Sequence, residues 1–437
     1  MAMLFDIVTF PEFRHLNSER NHVIFDVNST RLLLVDHHLL SVLMTVKGID
    51  DRGLTELRSM HGNSVETETA IKTMLELVHV HHVLCPNTIQ QNMSQVGEWD
   101  CNRNIDHVLL NVSTACQLRC KYCFAEGGHY GRPDSEAMMS WDVARAAIDM
   151  LDRRDAEGHS IAVGFFGGEP LMNWEMIEKS IRYANGIANE YVKTKVIFNM
   201  TTNGVGLTRE RAKFLKEHDC SIMFSIDGCE ATHNDLRPAK ESEQNSWQST
   251  VQGYNNWLSV GGRALTARAT ITAKDTSVSP MIDLFRRLGF NSVNTQLVQT
   301  EDPELKLSTA QLHQYEAHQL SLLTDDISKS TDLQRVFSSL CAGRPRPSFC
   351  GVGRSGYAVQ PNGDIFLCHR FASDDSFKIG HVYSGVDPNK LAKHQGWRVN
   401  NSLVCSRCWA RHICGGGCYA ENYFATQAPL SPRPERL

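Results

Sequence analysis

A chain of 437 residues exceeds one ordinary domain and is long enough to bury two or three cores. With 41% hydrophobic and 21% charged residues, a net charge of -5 and no long apolar run, the composition is globular and argues against disorder, a membrane span or a secretory leader. Balanced charge without a Lys/Arg stripe also argues against a nucleic-acid partner, which leaves a soluble cytoplasmic protein as the expectation.

In chain order, β-rich runs at residues 4–9, 22–27 and 31–35, the last two separated by the turn-like Asn28-Ser29, predict a hairpin. Residues 36–47, 51–60 and 67–82 follow with apolar residues at helical spacing, as at Ile71, Met74, Leu75, Leu77 and Val78. Together they predict a winged-helix-like α+β unit with a connector over residues 1–100, either a packing appendage or a binding module. Cys85 and Cys101 in the connector match no ligand spacing and read as structural thiols.

From His107 the pattern changes to alternating strands and helices, the signature of a parallel sheet with crossover helices. Strands are predicted over 107–113, 160–167, 195–202, 221–227, 264–272 and 292–298. Helices are predicted over 140–152, 174–192, 208–218, 246–259 and 278–288, with Ser140 and Thr208 at N-cap positions. A further helical stretch follows over 308–323. Residues 101–335 thus read as a six-unit α/β domain whose chemistry belongs at the C-terminal strand ends, where the connecting loops converge.

The motifs fall there. After the first strand comes Cys116-x3-Cys120-x2-Cys123, three thiols on a tight loop, which would leave one iron of a four-iron cluster without a protein ligand. After the second comes Gly167-Gly168-Glu169-Pro170, whose glycines permit close backbone approach to a ligand and whose carboxylate can accept hydrogen bonds from an ammonium group. Thr202-Asn203-Gly204 follows the third strand, Ser225-Ile-Asp227-Gly228 closes the fourth, and Arg268 lies in the fifth. Residues 336–437 hold a second cysteine-rich block: Cys341, Cys350, Gly363-x4-Cys368, then Cys405-x2-Cys408-x5-Cys414-x3-Cys418. Of the 14 cysteines most stand in metal-ligand spacings, which favours cluster or zinc ligation over a disulfide framework. Cys220 and Cys229, flanking the fourth strand, read as packing or incidental thiols.

The cysteine triplet and the Gly-Gly-Glu-Pro segment resemble those of the radical S-adenosylmethionine (SAM) enzymes, and the C-terminal block resembles their auxiliary-cluster SPASM domain. The resemblance implies an open (β/α)6 barrel between a leader-peptide recognition-like domain and the SPASM domain. It further implies a [4Fe-4S] cluster on Cys116, Cys120 and Cys123 that binds SAM and cleaves it to methionine and a 5'-deoxyadenosyl radical. Gly167, Gly168 and Glu169 would meet the SAM amino group, Tyr122 the adenine, Ser225 the ribose and Arg268 the carboxylate, with Thr202 and Asn203 beside them. Cys341, Cys350, Cys368 and Cys418 would hold a first auxiliary cluster, and Cys405, Cys408 and Cys414 three corners of a second. The family pattern has one more downstream cysteine, and none occurs from Tyr419 to Leu437, so an open or non-cysteine ligand position or a longer natural chain is implied.

SPASM-containing enzymes act largely on peptides and proteins. The implied substrate is therefore a ribosomally made precursor bound partly through its leader, with flavodoxin or ferredoxin as electron donor. The implied product is an intramolecular crosslink, foremost a Cys thioether. Bond formation would leave one electron in surplus, which the auxiliary clusters could take. A carbon–carbon crosslink at an aromatic residue is the alternative, and so is a sulfatase-type formylglycine maturase. The latter family carries an acidic residue after the Gly-x4-Cys cysteine, where this chain has His369.

Overall fold

The computed structural model describes residues 13–17, 22–46, 51–81, 83–84, 105–131, 138–151, 160–190, 195–241, 245–263, 266–325, 330–343, 345–354 and 356–433. The strand expected over 4–9, Cys85 and Cys101 lie outside them. The chain divides into two compact units, Met1–Asp100 with Arg335–Cys350 and Gly396–Leu437, and Cys101–Gln334 with Gly351–Gln395.

The first unit contains an antiparallel sheet, β1 (Phe13–Asn17), β2 (His22–Asp26) and β3 (Leu32–Val35), in sequence order. Helices α1 (His37–Thr45), α2 (Asp51–His61) and α3 (Val65–His79) follow it. Ile24, Val35, Leu40, Leu43, Leu57, Ile71 and Met74 form their shared core. Asp36 caps α1 by accepting from Leu39 N–H at 2.7 Å, and Ser64 caps α3 through Thr67 N–H at 3.2 Å. Strand β1 escapes the sequence pattern because Arg14, His15 and Asn17 dilute its apolar alternation. Asp26, 1% exposed, fixes the turn after β2 by accepting from the N–H groups of Asn28, Ser29 and Leu84.

The second unit is built on a single sheet of ten described strands. Its strands β4 (His107–Ser113), β5 (Ser160–Gly167), β6 (Lys195–Thr202), β7 (Ser221–Ser225), β8 (Thr266–Ile271) and β9 (Ser292–Leu297) are parallel and neighbour one another in chain order. That is the expected open (β/α)6 arrangement. Val163, Phe165, Phe198 and Phe224 on its strands are at most 2% exposed. Ser140 and Thr208 cap helices Trp141–Asp149 and Arg209–Glu217 as anticipated. Gly289, at φ 101°, ends helix Val278–Leu288 in the left-handed conformation that favours glycine.

The C-terminal block does not form a separate body. Residues 351–395 extend the barrel sheet: β10 (Gly356–Val359) pairs in parallel with β4, then β11 (Asp364–Phe366), β12 (Lys378–His381) and β13 (Gly385–Val386) add antiparallel strands. Backbone hydrogen bonding to β4 makes this extension, a long-range pairing with no local signature. Gly363, at φ 91°, turns the chain between β10 and β11 and so delivers Cys368 just past the second strand.

Candidate active site

The motif-bearing loops meet at the C-terminal ends of β4 to β9, around a cavity of about 350 Å3. Cys116, Cys120, Cys123, Tyr122, Gly167, Gly168, Glu169, Thr202, Asn203, Ser225 and Arg268 all line it, as do Phe124, Phe166, Gln299, His369 and Arg370. Residues anticipated from five separate strands are thus brought to one place.

The cysteine loop and the Gly-Gly-Glu-Pro segment are locked backbone to backbone. Gly168 N–H donates to Ser113 C=O at 2.7 Å and Glu169 N–H to Ala115 C=O at 2.9 Å. A Cβ on Gly167 would stand 2.2 Å from the Ser113 oxygen, one on Gly168 2.4 Å from the Ala115 oxygen, and one on Gly128 2.3 Å from the Thr114 oxygen. The glycines therefore answer first to the cysteine-loop backbone, and through it to any ligand.

Each thiol has its own setting. Cys116 is 8% exposed and its Sγ accepts from Leu118 N–H at 3.4 Å, while Cys123 Sγ accepts from Gly127 N–H at 3.2 Å. Burial pushes the Cys116 and Cys120 thiols up to about 12, and the Glu169 charge adds to the effect at Cys116. They stay protonated until a metal replaces the proton. Three thiols on one loop, with amide donors aimed at two of the sulfurs, fit a [4Fe-4S] cluster with one iron left to an exogenous ligand. Among the described residues no three His, Cys, Asp or Glu side chains converge on a single-ion point; in a four-iron cube each thiolate binds a different corner iron.

Glu169, 1% exposed, accepts from Leu171 N–H at 3.0 Å, Thr202 hydroxyl at 2.6 Å and Asn203 N–H at 2.8 Å. Burial outweighs these donors and raises its carboxyl to about 7, a group ready to ionise beside a cation. Arg268 donates to the side chains of Asn294 and Gln296 on β9.

Two groups here have contacts that the sequence did not announce. Asp227 stands two residues beyond β7, 1% exposed, and receives the Tyr122 hydroxyl, Arg237 and the Thr270 N–H. Tyr122 is therefore anchored at its hydroxyl end, with the Arg237 guanidinium 5.4 Å above its ring. The second group is an aromatic wall: His369 packs 4.5 Å from Phe166 and 5.8 Å from Phe124, and Arg370 lies 4.8 Å over Phe124 while donating to Gln299 at 2.5 Å. Burial, then the charges of Arg370 and Arg268, lower His369 to about 3, so it is a neutral imidazole and a poor base. The only sequence signal for either group was position: Asp227 beside Ser225, and His369 beside Cys368.

The remaining cysteines fall in both units. Cys368, in the second, has Sγ 3.6 Å from His369 Nδ1. In the first, Cys405 is buried and its thiol is raised by burial and then by the nearby charges of Cys414 and Cys408. Gly415, Gly416 and Gly417, all at φ 74–85°, supply the three-residue turn between Cys414 and Cys418. A Cβ on Gly415 would meet the Phe349 backbone at 2.8 Å, so this turn packs against the segment leading to Cys350. Cys341 lies in helix Thr331–Ala342 and is exposed. Cys220 is buried and Cys229 exposed.

A second hollow, of about 450 Å3, opens on the cysteine loop and is lined by Arg119, Lys121, His129, Lys240 and Glu126 together with Cys120 and Cys123. Among the described residues no helix is long and apolar enough to cross a membrane.

The profile of the radical SAM superfamily matches residues 110–272. Uncharacterized protein MJ0907 of Methanocaldococcus jannaschii is 34% identical over 148 residues, 34% of this chain and 46% of that protein, so the chain spans less than half of that relative. Mycofactocin maturase MftC of Mycobacterium tuberculosis is 25% identical over 346 residues, 74% of this chain and 81% of that one. Among solved structures, native anSMEcpe with bound AdoMet superposes with TM-score 0.63 at 17% identity, covering 75% of this chain and 93% of that one. Streptococcus suis SuiB superposes with TM-score 0.54 at 14% identity and covers 96% and 97% of the two chains. The cysteine loop and its supporting glycines thus lie within a radical SAM domain, residues 110–272 of this chain.

Proposed function

We propose that the protein modifies a ribosomally made precursor peptide or protein, installing an intramolecular crosslink, foremost a Cys thioether. The observation that carries the reading is the convergence of Cys116, Cys120, Cys123 and Glu169 on one cavity walled by Phe124, Phe166 and His369. Support for a peptide substrate comes from MftC, named a maturase, and from SuiB, also solved with the precursor peptide SuiA and matched over 97% of this chain.

In this reading Cys116, Cys120 and Cys123 hold the [4Fe-4S] cluster. Glu169 holds the SAM ammonium, Ser225 and Tyr122 face its nucleoside, and Arg268 faces its carboxylate, with Thr202 and Asn203 keeping Glu169 in place. Bound there, cluster and SAM would supply the radical chemistry needed to activate an otherwise unreactive C–H bond. The chain's part is placement and exclusion of water, for which the glycine-locked loops and the aromatic wall are suited. Cys341, Cys350, Cys368, Cys405, Cys408, Cys414 and Cys418 serve auxiliary clusters. The three-stranded unit, within residues 1–100, recruits the leader by adding it as a strand. An electron donor such as flavodoxin or ferredoxin approaches the outer hollow with Arg119, Lys121 and Lys240, and the reduced cytoplasm is the setting. Against the formylglycine alternative stands His369, whose environment opposes protonation where that family has an acid.

Replacing Cys116, Cys120 and Cys123 together with Ala abolishes 5'-deoxyadenosine formation while C-terminal iron is retained; SAM cleavage at the parent rate refutes the reading. With a cognate precursor, tandem mass spectrometry is expected to find a linked Cys lighter by two hydrogens and closed to alkylation, and only when the leader is attached.

A further inference from the structure

The cysteine loop is fastened on a second side, to residues 236–240 that follow helix Glu230–Leu236. Arg119 N–H donates to Pro238 C=O at 2.8 Å, Lys121 N–H to Leu236 C=O at 2.9 Å, and Lys240 N–H to Gln117 C=O at 2.8 Å, with Leu118 and Ala239 bridged between them. This strip places Arg237 beneath the loop. Its Nε donates to one Asp227 oxygen at 2.8 Å and its Nη2 to the other at 3.1 Å, a two-pronged pair with side chains 8% and 2% exposed. Thr270 N–H at 2.8 Å and the Tyr122 hydroxyl complete the carboxylate's partners.

Burial by itself would raise the Asp227 carboxyl, yet Arg237 and the other donors hold it below its ordinary value, so the pair is ionised. Tyr122 ties the pair to the thiols: it stands between Cys120 and Cys123, donates its hydroxyl to Asp227 and carries the Arg237 guanidinium 5.4 Å over its ring, and Arg237 lines the same cavity as the three cysteines. Whatever stabilises a thiolate also stabilises added negative charge on the iron it binds. In a poorly solvated site, net charge and hydrogen bonds near the sulfurs set an iron–sulfur potential.

We propose that Asp227 and Arg237 are a charge-balanced positioning pair that sets the reduction potential of the cluster held by Cys116, Cys120 and Cys123 and fixes its loop through Tyr122. The inference rests on the radical SAM reading of those cysteines. Arg237 lines the cavity and Asp227 stands behind it, so the proposed effect is one of charge and of loop position. Arg237 favours the reduced cluster and Asp227 opposes it, so the two together hold the potential between the values that either charge would impose alone.

The test is a redox titration of the fully loaded protein, following the paramagnetic signal that SAM addition perturbs. Asp227→Asn leaves Arg237 uncompensated and is expected to move that potential in the positive direction with iron content unchanged. Asp227→Asn combined with Arg237→Gln removes both charges and is expected to bring it back toward the parent value. Mere loosening of the loop predicts the opposite ordering, with the double variant disturbed at least as much as the single. Arg237→Lys keeps both charges and is expected to leave the potential in place, which tests the idea even where Asp227→Asn fails to load iron. A negative or null shift in Asp227→Asn, no return in the double variant, or a large shift in Arg237→Lys overturns the proposal. Absence of any SAM-perturbed signal in the parent chain overturns the cluster reading and this inference with it.

Discussion

Substituting Gly168 by Ala probes the lock between the two motif loops. Gly168 has no positive φ, so alanine costs nothing in backbone conformation and only space is at issue. The new Cβ would lie 2.4 Å from the Ala115 carbonyl oxygen and 2.8 Å from that carbonyl carbon and the Gly127 oxygen, all backbone atoms. Real Cβ atoms stay beyond 3.0 Å, so the segments must part by at least about 0.6 Å. The same displacement stretches Gly168 N–H to Ser113 C=O, now 2.7 Å, and Glu169 N–H to Ala115 C=O, now 2.9 Å, toward the limit of useful hydrogen bonds. Two weakened buried amide bonds at about 1–3 kcal/mol each predict a loss of about 2–6 kcal/mol. A loop misplaced by a sizeable fraction of an ångström predicts SAM cleavage slower by on the order of tenfold to a hundredfold. Denaturant unfolding and single-turnover 5'-deoxyadenosine formation measure the two. Gly186→Ala, in helix Trp174–Glu190 with nothing within 4 Å, is the control: unchanged cleavage and a gain of up to about 1 kcal/mol. Parent-like stability and cleavage in Gly168→Ala would refute the steric argument.

Glu169 makes stability depend on pH in a definite direction. Its folded value of about 7 lies above the ordinary 4.5, so its contribution is fully present below pH 4.5 and is lost as pH rises through 7, by about 3 kcal/mol. In SAM-free protein the stability difference between parent and Glu169→Gln should fall by about that amount from pH 4.5 to 8; a flat difference contradicts it. Thiol labelling separates the two cysteines beside β7. Hydrogen bonds around Thr232 lower exposed Cys229, whereas burial pushes Cys220 up to about 12. In cluster-loaded protein Cys229 should alkylate at least about a hundredfold faster, and comparable rates would contradict the assigned burial.

Much of the site was legible because its residue types are tied to local geometry. The Cys-x3-Cys-x2-Cys loop and Gly-Gly-Glu-Pro come at the ends of strands whose apolar runs are written in the sequence, Ser225 closes another, and the six units pack as neighbours in one parallel sheet. Ser140 and Thr208 announced helix starts because an N-cap is satisfied within three residues.

Contacts between distant residues had no such signal. Glycines anticipated as making room for a ligand turn out to make room for Ser113 to Ala115, because which backbone lies opposite depends on strand register. Asp227 read as the close of the fourth strand, and only the fold put Arg237 across both of its oxygens and Tyr122 on one of them. His369 stood in the sequence only as the residue after Cys368, and the fold enclosed it with Phe124 and Phe166. The C-terminal block read as one domain, yet residues 351–395 continue the barrel sheet through the pairing of β10 with β4, more than two hundred residues apart in sequence. By itself the sequence determined the strand and helix order and the thiol triplet that begins the chemistry, since these depend on near neighbours. The tertiary structure alone decided which charges, rings and carbonyls face those thiols, because burial and long-range hydrogen bonding are properties of the packed chain.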